Sequence, residues 1–253
     1  MVSRLAGRSV VVTGAGGGLG SAIARAFAAE GAELILADVT DDLLERIAEE
    51  LRGQGTICST HRFDLTSESA IAGFAADICK SHPKLDVLIN NAGIAYGEVN
   101  DNMENHSLEK WLHFFTVNSI APYLLARGLR PALAAAKGVI INQSSMASYM
   151  PANAYGITKA TLNSFTYGMA YTFGADGIRV NAIAPGIMET PASKGSLTDE
   201  IYARVQGMQM LKLHGTAEDI ANLAVFLASD DARFINCEIV HCDAGNQLRG
   251  WRG

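Results

Sequence analysis

Short runs of β-branched and apolar residues at 9–13, 33–38, 56–63, 85–90, 138–143, 179–184 and 238–241 alternate along this chain with longer stretches of helical periodicity at 18–30, 41–52, 67–81, 108–136, 153–174 and 217–228. A strand followed by a helix that carries the chain back to its starting end forces the next strand to lie parallel to the first. Val87-Leu88-Ile89 shows no polar alternation, as expected of a strand covered on both faces. The pattern therefore predicts an α/β fold, a doubly wound parallel sheet of about seven strands with helices on both faces. No Pro/Ser linker, low-complexity tract or tandem repeat interrupts it, so residues 1–253 read as a single domain. The least regular segment, 190–215, is rich in Gly, Ser, Met and Lys and follows a strand's carboxyl end, where a substrate lid would lie.

Composition narrows the partners. The formal charge of −6 leaves no basic footprint for nucleic acid or an anionic membrane, and no apolar run is long enough for a membrane span. An apolar fraction of 49% beside 18% charged residues fits a globular chain. Cys58, Cys79, Cys237 and Cys242 form no paired motif, which is expected of a reducing, cytoplasmic setting. The six histidines never fall at metal-ligand spacing, so no metal is assigned.

Thr13-Gly-Ala-Gly-Gly-Gly-Leu-Gly20 lies where the first strand must turn into the first helix. Glycines there permit positive φ and close approach to a pyrophosphate, which the helix N-terminus favours electrostatically. A tight turn with no ligand is the competing reading. Asp38 ends the second strand and is placed to accept hydrogen bonds from an adenosine ribose, unless it is merely a strand-end residue. Tyr155 and Lys159, at i and i+4, project from one helix face. A cation beside the phenol would lower its pKa and make it a proton donor and acceptor for an alcohol oxygen. The alternative is a solvated surface pair.

Taken together these residues resemble the short-chain dehydrogenase/reductase family over essentially the whole chain. Gly14, Gly18 and Gly20 match its TGxxxGxG loop, Asn90-Asn91-Ala92-Gly93 its NNAG motif, and Asn118 its helix asparagine. Ser144-Ser145, Tyr155/Lys159 and Pro185-Gly186 with Thr190 match the serine, YxxxK and PGxxxT motifs. The resemblance implies a Rossmann-type domain with Asn118, Ser145, Tyr155 and Lys159 as catalytic residues. It further implies dinucleotide contacts from Gly14, Gly17, Gly18, Leu19, Gly20, Asp38, Val39, Asp64, Leu65, Asn91, Ala92, Gly93, Pro185, Gly186, Ile187 and Thr190, besides Tyr155 and Lys159. In these roles Tyr155 exchanges a proton with substrate, Lys159 lowers its pKa and binds the nicotinamide ribose, Ser145 holds the substrate oxygen, and Asn118 holds a relay water.

Two departures bear on substrate. Only nine residues separate Ser145 from Tyr155, fewer than the family pattern has, so 146–154 is shortened beside the substrate and Ser144 stays a competing assignment. The usual glycines of the C-terminal strand are replaced at several places in 234–245, which reads as a packing or subunit-contact variation.

The expected activity is reversible hydride transfer between a secondary alcohol, or cyclic diol, and its ketone. Asp38 with Gly17 and Val39 points to NAD, since no basic residue stands at the last two positions. The rival readings are a 3-oxoacyl-carrier reductase of the same family and a non-catalytic dinucleotide-binding regulator. Met146, Tyr149, Ile187, Met188, Met208, Met210 and Leu211 suggest an apolar pocket or core packing. Apolar residues on more than one side of 108–136 and 153–174, such as Phe114, Phe115, Phe165, Tyr167 and Met169, predict a homo-oligomer, expected to be a tetramer.

Overall fold

β1 (Ser9–Thr13) is buried along its whole length and pairs in parallel with two neighbours, Val11 standing opposite Ile35 of β2 (Glu33–Asp38) and Leu88 of β4 (Val87–Asn90). The computed structural model describes residues 3–246; residues 1–2 and 247–253, the ends of the expected domain, lie outside them, as do the side chains at 191 and 192. With β3 (Cys58–Arg62), β5 (Val139–Gln143), β6 (Arg179–Pro185) and β9 (Ile239–Cys242), the described strands form one parallel sheet ordered β3-β2-β1-β4-β5-β6-β9. The order reverses between β1 and β4, and this opens a crevice at the carboxyl ends of the strands.

Strand alternation divides the core. Val10 and Val12 face the layer containing α1 (Gly18–Ala29), α2 (Asp41–Gly53) and α9 (Ala217–Ala228). Val11 faces the opposite layer, with α3 (Glu68–Ser81), α5 (Ala121–Ala136) and α6 (Ala154–Phe173). Each fully buried Val or Leu on these faces contributes about 1.5–3 kcal/mol of transfer free energy.

Three details differ from the sequence expectation. The third strand is shorter, Cys58–Arg62, and only partly buried because it is the sheet edge. The helix expected over 108–136 is broken: α4 (Leu108–Phe115) passes through a π-turn, Thr116–Ile120, into α5. The wider turn brings Asn118 and Ser119 together against α6, where Asn118 Nδ2 donates to Thr158 Oγ1 at 3.0 Å and Ser119 Oγ to the Thr158 carbonyl at 2.8 Å. Finally, β7 (Met188–Glu189) and β8 (Gly215–Thr216) pair in parallel, and between them lie two short helices, α7 (Pro191–Ser196) and α8 (Asp199–Gly207).

Candidate active site

A cleft of about 1200 Å3 runs along the carboxyl ends of the strands. Its walls include every site residue expected from sequence except Asn118. Asn118 is fully buried behind the wall: its Oδ1 accepts from Ile94 N at 2.7 Å and its Nδ2 donates to the Ile94 carbonyl at 3.0 Å. The side chain fixes the loop after β4, so any relay water would have to be held by another of its atoms.

At the β1 end, Gly14 has φ +64°, and a Cβ there would come within 2.8 Å of Ala92 Cα. Asn91 ties the two loops together, its Nδ2 donating to the carbonyls of Thr13 and Gly14 at 3.0 and 3.1 Å. Thr13 Oγ1 accepts from the backbone of Asn91 and Ala92. Gly17 caps α1 without a side-chain hydrogen bond, and the first turn carries no acidic residue. Its free N–H groups, beside Gly18 and Leu19, face the cleft as an anion site.

Asp38 is held on two sides, Oδ2 accepting from Gly16 N at 2.9 Å and Oδ1 from Thr40 N at 3.0 Å. Its remaining lone pairs are available to ribose hydroxyls. A cation unnoticed in the sequence stands close by. Arg62, paired in register with Asp38, donates to the Val39 carbonyl at 3.3 Å and to Asp41 at 3.2 Å. Asp64 is an Asx-turn residue as well as a wall residue: its Oδ1 accepts from Thr66 N at 2.8 Å, which holds its carboxyl below the usual range. Leu65 and Val39 complete this end.

At the β5 end, Asn153 caps α6 by accepting from Gly156 N, which sets Tyr155 and Lys159 on the helix face turned to the cleft. The Lys159 ammonium lies 5.8 Å from the centre of the Tyr155 ring and donates to the Gln143 carbonyl at 2.7 Å. The expected lowering of the phenol pKa is not found in the protein alone. Burial pushes Tyr155 up to about 12, opposed by a hydrogen bond with Ser145, and pushes Lys159 down to about 8. At this distance the ammonium does not offset desolvation.

The shortened loop leaves these contacts intact. Met146–Tyr149 closes as a single 3-10 turn, with Ser148 Oγ donating to the Ser145 carbonyl at 2.7 Å. Ser144 Oγ donates to Asn163 Oδ1 at 2.6 Å, and Asn163 Nδ2 donates to Ser148 Oγ at 3.0 Å. Ser145, and not Ser144, therefore meets Tyr155. On the far side, a Cβ on Gly186 would lie 2.8 Å from Asp243 Cα, so β6 and the C-terminal turn touch beneath Pro185 and Ile187. Thr190 caps α7, its Oγ1 accepting from Ser193 N at 3.1 Å.

Several wall residues escaped the sequence reading. Tyr96, whose phenol bonds with the side chains of Thr190 and Ser193, follows the NNAG motif and could have been noticed as an aromatic residue in that loop. His113 and Val117 lie one helical turn before and beside Asn118. Leu197, Ile201 and Val205 recur every four residues in the irregular segment, a period the eye loses among glycines and serines. Conversely, Tyr149, Met208, Met210 and Leu211 are not in the wall, although Met146, Ile187 and Met188 are. Met210 and Leu211 instead bond through their backbone to Gly245 and Ala244.

The cradle fits a nicotinamide dinucleotide. Positive φ and tight clearance at Gly14, the uncapped helix end and Asp38 suit its diphosphate and adenosine ribose. The Gln143 Nε2 donor, buried in the wall without a partner among the described residues, has an acceptor to gain. Among the described residues no cluster could hold a metal, and no helix is long and apolar enough to cross a membrane.

Comparison with known proteins agrees with this geometry. A family model described as Enoyl-(Acyl carrier protein) reductase matches residues 14–247. The chain is 34% identical to a 2,5-dichloro-2,5-cyclohexadiene-1,4-diol dehydrogenase of Sphingobium indicum, over 97% of this chain and 98% of the other. It is 30% identical to the 7alpha-hydroxysteroid dehydrogenase of Escherichia coli, over 96% and 95%. A 7alpha-hydroxysteroid dehydrogenase complexed with NADH and 7-oxo glycochenodeoxycholic acid superposes with TM-score 0.89 at 29% identity, covering 97% and 96%. L-sorbose reductase of Gluconobacter frateurii, complexed with NADPH and L-sorbose, superposes with TM-score 0.87 at 29% identity, covering 97% and 98%. By this family model and by these relatives, the chain belongs to the short-chain dehydrogenase/reductase family of oxidoreductases, which act on CH–OH donors with a nicotinamide dinucleotide.

Proposed function

We propose that this chain is an NAD-dependent dehydrogenase that interconverts a secondary alcohol, or a cyclic diol, with its ketone. The observation that carries this is the meeting of Tyr155, Ser145 and Lys159 at one end of a cleft whose other end is the glycine turn and Asp38. The dinucleotide, when bound, supplies the hydride acceptor or donor. Gly14, Gly17, Gly18, Leu19 and Gly20 hold its diphosphate, Asp38 and Val39 its adenosine ribose, and Asp64 and Leu65 its adenine edge. Asn91, Ala92, Gly93, Pro185, Gly186, Ile187 and Thr190 enclose the nicotinamide half. Ser145 donates to the substrate oxygen and Tyr155 exchanges its proton there. Lys159 binds the nicotinamide ribose and sets a positive charge 5.8 Å from the centre of the Tyr155 ring.

The segment 190–215 acts as the substrate lid. Its β7–β8 base and the Tyr96 contact to α7 support that reading. Asp38 favours NAD, because the 2′-phosphate of NADP would bring a second anion against a fixed carboxylate. The exposed apolar residues Leu108 and Leu112 on α4, and Tyr167 and Tyr171 on α6, support a homotetramer. Free cysteines, with Cys58, Cys79 and Cys242 partly buried and Cys237 exposed, fit a reducing, cytoplasmic location. The test is a panel of secondary alcohols, cyclic diols and hydroxyacyl thioesters assayed with NAD and with NADP. NAD-linked oxidation of an alcohol, abolished in Tyr155→Phe, is the expected result; activity confined to thioesters with NADP overturns it.

A further inference from the structure

α8 is nine residues long and none of them is fully buried. A helix this short is marginal in water and in most proteins owes its persistence to an apolar face packed on a core. Here local devices serve instead: Thr198 Oγ1 accepts from Ile201 N, Asp199 and Glu200 occupy the first turn, and Arg204 the last. Its apolar stripe points elsewhere. Leu197, just before the helix, and Ile201 and Val205 within it line the cleft, and Ile201 keeps 39% of its surface exposed. Met146, Ile187 and Met188 line the same cleft. Ile201 and Val205 stand roughly 6 Å apart along the helix, and Leu197 continues the stripe before its start, so the apolar surface is longer than a pocket for one methyl group. Among the described residues, the ionisable groups of the walls outside the adenosine end are Tyr96, Asp101 and the Tyr155/Lys159 pair, while His113 stands by Asp64 at the adenosine end. Lys159 is committed to Gln143, and Asp101 would repel a carboxylate.

Resting on the dehydrogenase reading above, we infer that the substrate is a neutral secondary alcohol or ketone with an apolar ring body, and that this ring packs on Leu197, Ile201 and Val205, completing the face that α8 leaves open. The ring is the occupant because the stripe is continuous with the wall that carries Tyr155, so whatever reacts there must lie along it. Apolar substrate surface then stabilises the lid, and a charged or polyhydroxylated substrate of equal size does not.

Two readouts test this on the full chain with saturating dinucleotide. The first is hydrogen exchange of the amides of 199–207 with 2-decalone, against 3-oxocyclohexanecarboxylate. The second is reduction of cyclohexanone, 4-tert-butylcyclohexanone and 2-decalone by the unmodified protein and by Ile201→Asn/Val205→Asn. The expected result is slowed exchange with 2-decalone only. It is accompanied by a rise in kcat/KM of about three- to fourfold per added buried methylene, which flattens in the double variant. Equal protection by the carboxylate, or a flat series with no protection, overturns the inference while leaving the dehydrogenase reading standing. Protection by 2-decalone without any reduction supports the inference about the lid surface and overturns the dehydrogenase reading.

Discussion

Lys159 Nζ donates to the main-chain carbonyl of Gln143 at 2.7 Å, so the helix that carries Tyr155 is tied directly to the end of β5. The bond holds the ammonium in a buried place where its pKa falls to about 8. A lysine whose folded pKa lies below its ordinary value of about 10.4 opposes folding while it is charged. The folded state binds fewer protons than the unfolded state between these values, so this contribution to stability improves as pH rises from about 8 toward the ordinary value. Thermal unfolding of the unmodified protein should therefore gain more between pH 7.5 and pH 9.5 than that of Lys159→Met. Parallel curves would show that the ammonium is better solvated than its position indicates.

Tyr155→Phe keeps the ring and removes the hydroxyl. Turnover should fall by about three orders of magnitude or more, with dinucleotide affinity nearly unchanged. Because oxidation needs the deprotonated phenol and reduction the protonated one, oxidation should rise with pH while reduction does not. Activity within tenfold of the unmodified protein would exclude Tyr155 as the acid/base.

The two serines should part company. Ser145→Ala should lower kcat at least tenfold more than Ser144→Ala, since Ser145 meets the phenol. Ser144→Ala leaves the buried Asn163 Oδ1 without its donor and should cost about 1–3 kcal/mol of stability instead. Urea unfolding and initial rates on both variants decide it; the reverse order would move the serine assignment by one residue.

The cofactor prediction follows from charges at β2 and β3. Two unit charges about 4 Å apart at an effective dielectric of 20 repel by roughly 4 kcal/mol, reduced to about 2–3 kcal/mol by screening and rearrangement. NAD should be preferred by roughly 30- to 150-fold in kcat/KM. Asp38→Asn should erase most of this, because Arg62 beside Val39 then offers the 2′-phosphate a cation. Equal use of both cofactors by the unmodified protein would place the ribose away from Asp38.

Cys237 and Ala244 stand at φ +66° and +53°, where the family pattern has glycines. L-side chains therefore sit in the left-handed region at both turns. Cys237→Gly and Ala244→Gly should each stabilise by about 0.5–1 kcal/mol, the relief of strain exceeding the added freedom of the unfolded chain. An increase in Tm for each variant is the check; an unchanged or lower Tm rejects the strain.

Sequence periodicity revealed the sheet because buried parallel strands such as Val10–Val12 and Val87–Ile89 leave an unmistakable signature, and the glycine turn and YxxxK pair pointed to residues that line one cleft. What stayed hidden depends on contacts across the fold. The π-turn at Thr116–Ile120 arises from Asn118 and Ser119 reaching Thr158, about forty residues away, which no local pattern records. Arg62 lies by Asp38 only through strand register. Phe114 and Met169, read as possible subunit contacts, are buried within the chain, while Tyr167, read in the same way, is exposed together with Leu108, Leu112 and Tyr171. Light scattering at micromolar concentration should give a tetramer, with Leu112→Glu lowering the mass; a monomer of the unmodified protein contradicts the assembly.

The two-residue ribbon of Met188–Glu189 with Gly215–Thr216 closes the ends of the lid segment on each other. A segment closed at its own base can change along α7 and α8 without moving Pro185 below it or α9 beyond it, while the bonds of Met210 and Leu211 to Gly245 and Ala244 anchor its far end. Transplanting the segment between the ribbon strands from a relative should carry over that relative's appetite for substrates while leaving cofactor preference behind, a result that would show the two specificities to be separable within this scaffold.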